Sequence, residues 1–336
     1  MPSISVIIPT RNELEYIDRC LESVRSAQLG NATVEVLIVD GMSEDGTRER
    51  LFEWSRKWPN VRILDNPKRI VPTAMNIGVL EARGEFIVRL DAHSEYPPDY
   101  LRLCLETARR TNADNVGGAL ITLSRGKNRS AAIVQALTTH PFGVGNSCFR
   151  INGKQGWSDT VPFGCFRAQV FKKVGLFDER LERNQDYEFN RRIINNGGRI
   201  WFNPHLKAKY YNRSSVRGLL QQGLNTGKWN VWMWYVAYYT FAFRHLVPLL
   251  FVGSVLFSAL LCLIASPNFG LSLLGLVIVP YFFLALVAAS HQAKKFGMFL
   301  FPYLPLLWFG YHFVYGFGEL WGVLLLLIRK ASVQQD

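Results

Sequence analysis

Apolar and polar positions follow two rhythms along this chain, and the second of them has no polar face. Over residues 4–90, short apolar runs alternate with stretches whose apolar residues recur every three or four positions. That is the pattern of strands interleaved with amphipathic helices. Ile4 to Pro9 reads as a strand, and Glu13 to Ser26 as a helix carrying Leu14, Ile17, Leu21 and Val24 on one face. Val34 to Val39 is the next strand and ends at Asp40. Ser43-Glu44-Asp45-Gly46-Thr47 is a turn that opens a helix over 48–58. Strands over 61–64 and 86–90 flank a helix over 73–82. This βαβαβ order predicts an α/β fold with a doubly wound, mainly parallel sheet. Beyond it a helix is expected over 99–110 and a strand over 117–123. Residues 126–160 are glycine-rich and read as irregular, a length at which loops are usually functional. The sheet resumes over 160–166, with helices over 169–174 and 185–195 and a strand near 199–202.

After His245 the polar face disappears. Leu246 to Ser266 and Phe269 to Ser290 contain no charged residue, and each is long enough to cross a hydrocarbon core of ~30 Å as a helix. A third span is expected over 305–328, carrying His312 and Glu319. A helix over 215–227 leads into Trp229, Trp232, Trp234, Tyr235, Tyr238 and Tyr239, an aromatic cluster suited to a membrane interface. The expected organisation is a catalytic domain over 1–230, an interfacial segment over 231–245 and a membrane domain over 246–330 with helices 246–266, 269–290 and 305–328. No signal-peptide pattern opens the chain, so the amino-terminal domain is expected in the cytosol. The basic loop His291-Gln292-Ala293-Lys294-Lys295 agrees by the positive-inside rule. The formal net charge of +12 suits anionic headgroups and phosphate-bearing substrates beside a bilayer. No zinc-finger, RRM or KH signature points to nucleic acid. Five cysteines without ligand spacing read as reduced packing thiols.

Polar groups gather where the predicted strands end, the edge at which open α/β sheets bind ligands. Pro9-Thr10-Arg11-Asn12-Glu13 follows the first strand, Asp40-Gly41 the second, Asp65-Asn66 the third and Asp91-Ala92-His93 the fourth. No G-x-G-x-x-G or Walker A sequence occurs, so the usual dinucleotide and P-loop readings fail. Asp40 has the chemistry to accept the imide N–H of a uracil, with Thr10 or Glu13 at the base or ribose. Asp91 and His93, two apart on an extended segment, would point the same way and reach one divalent cation that neutralises a diphosphate. A carboxylate with an imidazole favours Mn²⁺ over Mg²⁺. Asp186 falls at the start of a predicted helix, where the dipole stabilises a carboxylate and a general base could deprotonate a hydroxyl nucleophile. Trp157 and Asp159 are candidates for an acceptor pocket, since sugar faces stack on aromatic rings. A base and a metal-bound nucleotide leaving group together describe glycosyl transfer with inversion.

With these residues the chain resembles a family 2 inverting glycosyltransferase of the GT-A fold, from Ser3 to about Asn230. The resemblance rests on the stretch from Ile4 to Glu13, on Asp40-Gly41-Met42-Ser43-Glu44-Asp45-Gly46-Thr47, and on Ala74-Met75-Asn76-Ile77-Gly78. It implies Pro9, Thr10, Glu13, Asp40, Asp65, Asn76 and Asp91 at the nucleotide sugar, and Asp186 as the base. Asp91-x-His93 stands where the family has D-x-D, and Gln185-Asp186 where it has E-D. Gln222 with Gly227-Lys228-Trp229 resembles the family's Q-x-x-R-W signature, implying Gln222, Lys228 and Trp229 near the diphosphate and acceptor. More narrowly, Asp91-Ala92-His93, the Val144-Gly145-Asn146-Ser147 loop and the apolar tail are similar to the succinoglycan-type exopolysaccharide branch. The implied activity is non-processive transfer of a hexose, glucose first among candidates, from a UDP-sugar. The implied acceptor is a saccharide on a polyprenyl diphosphate such as undecaprenyl diphosphate, at the cytosolic face of the inner plasma membrane. Other exopolysaccharide assembly proteins are implied partners. Two alternatives stay open: a polyprenyl-phosphate glycosyltransferase of the dolichyl-phosphate mannose type, and a catalytically silent membrane scaffold of a polymer-export complex.

Overall fold

The computed structural model describes residues 2–124, 128–151, 153–212 and 215–333. Among them nine strands form one sheet, in the order β3-β2-β1-β4-β8-β6-β9-β5, with β7 paired to β9. β1 (Ile4–Thr10), β2 (Val34–Asp40), β3 (Val61–Asp65) and β4 (Phe86–Arg89) run parallel. β8 (Cys165–Arg167) enters antiparallel between β4 and β6 (Asn115–Ser124). β5 (Ser94–Glu95) and β7 (Gly156–Trp157) pair antiparallel with β9 (Ile200–Asn212). The sheet is doubly wound because its strands are apolar on both sides. Ile4, Val6, Ile8, Val36, Ile38, Phe86 and Val88 pack into one core cluster. Their neighbours Ile7, Leu37, Val39 and Ile87 pack into a second. Alternate residues of a strand point to opposite faces, so two clusters mean two covered faces.

Helices α1 (Ile17–Arg25), α2 (Thr47–Lys57), α3 (Val71–Glu81), α4 (Tyr100–Thr111), α7 (Ala168–Val174) and α8 (Gln185–Asn195) supply that cover. The predicted helix over 13–26 starts at Ile17: residues 13–16 form a turn in which Glu13 O accepts from the Tyr16 and Ile17 amides. Leu14, expected on the buried face, is exposed. α3 lies so close to β1 that a Cβ on Gly78 would come within 2.6 Å of Ile7 Cγ2. The strand near 199–202 extends to Asn212.

The chain divides into two compact units, one of residues 1–122 and 148–211, the other of 123–147 and 212–336. This differs from a continuous boundary at 230. In the second unit, α5 (Arg129–Leu137) and α6 (Pro141–Val144) occupy part of the stretch read as irregular. The Asn128 side chain caps α5 by accepting from the Ala131 amide at 2.8 Å. Ala131, Val134 and Leu137, at helical spacing, are its buried face. α9 (Val216–Val236) runs on through most of the aromatic cluster and is followed by α10 (Val247–Ile264), α11 (Pro267–Phe296) and α12 (Leu304–Val333). Among the described residues, Phe243–Ile264, Pro267–Phe296 and Leu304–Ile328 are long and apolar enough to cross a membrane. α9 and α12 meet through glycines at four-residue spacing, Gly223 and Gly227 on one helix, Gly318 and Gly322 on the other, which lets two backbones approach closely. At that seam Asn230 donates to the Tyr315 hydroxyl at 2.7 Å and to Glu319 Oε1 at 3.3 Å.

Candidate active site

The parallel register sets Thr10, Asp40 and Asp65 side by side at the carboxyl edge of the first unit's sheet. Asp40 is fully buried. Its Oδ1 accepts from Ser43 Oγ at 2.6 Å, and its Oδ2 from the Ser43 amide at 3.2 Å and from Arg48 Nη1 at 2.9 Å. Arg48 Nη2 also donates to Asp65 Oδ1 at 2.7 Å. Asp65, then Asp40, hold the Arg48 guanidinium above its ordinary pKa. The Thr10 hydroxyl donates back to Ile8 O at 3.1 Å, and Pro9 sits within the ladder opposite Val39.

The next strand carries the rest of the cluster. β4 ends at Arg89, and Ala92 and His93 lie in a turn. The expected same-side alternation of Asp91 and His93 on an extended segment therefore does not occur. The turn is held by the Asp91 amide donating to Tyr96 Oη at 2.8 Å. His93 Nδ1 lies 2.9 Å from Glu13 Oε1, and the imidazole ring packs on Tyr210 with centroids 5.3 Å apart. Glu13, expected at the base or ribose, is thus the partner of His93.

Arg89 is the residue that sequence reasoning missed. It is only 8% exposed. Its Nη2 donates to Asp91 Oδ1 at 3.1 Å, and its Nη1 is ion-paired with Asp186 Oδ1. Burial opposes its charge, yet Asp186 and Asp91 together raise its pKa above the ordinary value. The available signal was a basic residue inside the apolar run Phe86-Ile87-Val88-Arg89-Leu90, since buried arginines are nearly always paired. Asp186 lies in the first turn of α8, two residues after Asn184, whose φ of 62° is left-handed. Two carboxylates remote in sequence thus meet on one guanidinium at the sheet's carboxyl edge.

The other expected site residues have partners of their own. Asn76 donates to Phe177 O and Glu179 Oε1, each at 3.0 Å, and accepts from the Phe177 amide at 2.8 Å. Its amide clamps α3 to the 177–179 segment. Trp157, half exposed, stands edge-on to its pairing partner Trp201, with Arg199 Cζ 4.7 Å from its ring centroid. Tyr210, packed on His93, lies nine residues further along β9 than Trp201, roughly 30 Å of chain at ~3.3 Å per residue. Trp157 therefore lies well along β9 from the point where Tyr210 meets His93. Asp159 follows it, next to Ser158, whose amide donates to Ile200 O at 3.0 Å. Gln222, Lys228 and Trp229 lie on α9, in the second unit.

Among the described residues, no three His, Cys, Asp or Glu side chains form a group that could hold a metal ion. Asp91 and His93 nevertheless share the turn at the sheet edge, both partly exposed. A carboxylate and an imidazole fit a divalent cation whose remaining ligands come from a diphosphate and water.

Residues 5–176 match the family described as Glycosyl transferase family 2. A curated relative from Methanococcus voltae, the dolichyl N-acetyl-α-D-glucosaminyl phosphate 3-β-D-2,3-diacetamido-2,3-dideoxy-β-D-glucuronosyltransferase, is 31% identical over 333 residues, covering 96% of this chain and 98% of its own. The succinoglycan biosynthesis protein ExoA of Rhizobium meliloti is 34% identical over 226 residues, 66% of this chain and 67% of its own. In fold, the chain is similar to the mannosyltransferase PcManGT from Pyrobaculum calidifontis, solved in complex with GDP-Man and Mn²⁺. The TM-score is 0.58 at 18% identity, over 95% of this chain and 87% of that one. With a family match across half its length and a relative that aligns from end to end, the chain belongs to glycosyl transferase family 2 and has the GT-A-like mixed α/β fold.

Proposed function

We propose that this glycosyltransferase moves a hexose from a UDP-sugar, with inversion, onto a hydroxyl of a saccharide carried on a lipid phosphate, at a membrane surface. The observation that carries the reading is the meeting of Asp91 and Asp186 on Arg89 at the sheet edge. Asp186, at a helix start and half exposed, acts as general base: its carboxylate takes the proton of the acceptor hydroxyl as that oxygen attacks the anomeric carbon. The C–O bond to the nucleoside diphosphate breaks on the opposite face. Thr10, Asp40 and Asp65 form the nucleotide edge, with Arg48 holding the two aspartates. Asp91 and His93 would hold a divalent cation, Mn²⁺ before Mg²⁺, which when bound neutralises charge on the leaving diphosphate. Lys228 and Trp229 are assigned to the lipid-phosphate side by family resemblance.

Three apolar helices support a membrane location, and the basic 291–295 loop supports a cytosolic catalytic domain, at the inner membrane of an exopolysaccharide-making cell. The activity for which the Methanococcus relative is named, on a dolichyl phosphate-linked sugar, supports a lipid-linked acceptor. ExoA supports the exopolysaccharide setting.

The test is transfer of labelled sugar from UDP-glucose, then other UDP-sugars, to saccharides on polyprenyl phosphate and on polyprenyl diphosphate, with and without Mn²⁺. Removing a general base costs about 10²–10⁴-fold, so Asp186→Asn should lose at least the lower figure while still binding UDP. Undiminished transfer by Asp186→Asn would remove the base and favour a phosphate as nucleophile. UDP binding without transfer from any donor to either acceptor would favour a silent scaffold.

A further inference from the structure

Arg89 ends β4, a strand flanked by β1 on one side and β8 on the other. Its backbone is pinned, opposite Ile7 in one ladder and with its amide donating to Gly164 O at 2.9 Å. The side chain is almost wholly buried, and its two outer nitrogens reach two carboxylates from different segments, the turn after β4 and the first turn of α8. We propose that Arg89 is a positioning residue that couples the donor side of the site to its base, one rigid fork setting Asp186 in register with Asp91. The inference rests on the roles given to Asp91 and Asp186 above.

Three features carry it. The guanidinium is planar and presents its donors in a fixed geometry, so two carboxylates bound to one fork are held at a set separation. The root of the fork lies on a central strand, whereas Asp186 is half exposed at a helix start, after a residue of left-handed backbone. The rigid element therefore guides the exposed one. Finally, Arg89 Nε is buried and has no hydrogen-bond partner among the described residues. A buried donor left unpaired is costly, and a purely structural arginine would be expected to engage that nitrogen. Here the fork faces the two aspartates at that cost. Asp91 and Asp186 draw on the same cation. A donor complex that engages Asp91 leaves more of the guanidinium to Asp186, so the base is held most firmly when donor is present.

The experiment uses the full chain in detergent, with UDP plus Mn²⁺ as the binding probe and the most active UDP-sugar for turnover. Arg89→Lys keeps the charge and loses the fork. It should lower kcat about 100-fold, the scale of a misplaced catalytic group, while UDP affinity stays within about threefold. A kcat near wild type overturns the coupling. So does a parallel fall of kcat and affinity, which marks a damaged donor pocket. Should Arg89→Lys not fold, Asp186→Asn carries the test, because its side chain is half exposed. With Asp186 neutral, Arg89 turns to Asp91 and UDP–Mn²⁺ affinity should fall at least about threefold; unchanged affinity overturns the proposal. Normal transfer by Asp186→Asn sinks the base assignment itself. Normal transfer by Arg89→Lys beside an inactive Asp186→Asn protein sinks only the coupling.

Discussion

At the scale of single residues, what distinguishes this site is how its polar side chains are already engaged with each other. Glu13 bonds His93 through Nδ1, and outer partners of this kind orient a ligating imidazole and sharpen its affinity. Glu13→Ala should therefore weaken UDP binding about tenfold in the presence of Mn²⁺ and leave metal-free UDP binding unchanged, as calorimetry with and without the metal would register. Loss of metal-free binding instead would return Glu13 to the nucleotide. Asp45 is a second engaged carboxylate, with a structural task. It accepts from the Thr47 amide and hydroxyl and from the Leu14 amide, at 3.0, 2.6 and 3.2 Å. Slight burial works against its charge, but these hydrogen bonds prevail and hold its pKa below the ordinary carboxylate value. A lowered folded pKa means stabilisation that is full above the unfolded value and lost as pH falls through the folded one. Asp45→Ala should thus lower the thermal midpoint at neutral pH, and the gap between the two proteins should close under acid.

At the scale of elements, close approach decides more than propensity. A Cβ on Gly227 would lie 2.2 Å from Tyr315 O, a backbone atom on α12. Gly227→Ala should force α9 and α12 apart and lower thermal stability in detergent by several degrees, the effect of an overpacked contact worth about 1–3 kcal/mol. Gly310→Ala is the matched control, because beyond its own helical turn no described residue lies within 4 Å of the added atom. An equal loss in both would mean that the α9–α12 seam contributes nothing special. The α5 helix shows how far local pattern reaches. Asn128 as cap and Ala131, Val134 and Leu137 at helical spacing are local helix signals, but the surrounding glycines carry the opposite signal, that of a loop. α8 appears over Gln185–Asn195 as expected, because a regular apolar period and the dipole-favoured Asp186 agree there.

At the scale of the whole molecule, the three apolar helices imply that the protein stays with membranes after alkaline carbonate washing. In a Cys262→Ser background, Asn268→Cys and Lys294→Cys should react with an impermeant maleimide from opposite sides of the membrane, Lys294→Cys from the cytosolic side. Labelling of both from one side would rule out a span over Pro267–Phe296. Legible in the chain alone were the alternating strands and helices of residues 4–90, the polar groups at their strand ends and the apolar character of the carboxy-terminal helices. Those features are written in local periodicity, which depends on neighbours within a turn or two. Packing across the sheet is what joins Arg89 to Asp91 and Asp186, sets Glu13 against His93 and makes Asn76 a clamp. Tertiary structure alone set Trp157 at the far end of β9 and grouped residues 123–147 with the apolar helices. The physical reason is common to all of these. Such partners are remote in sequence, and which of them meet follows from strand order and the packing of buried faces, information that no short window of residues contains.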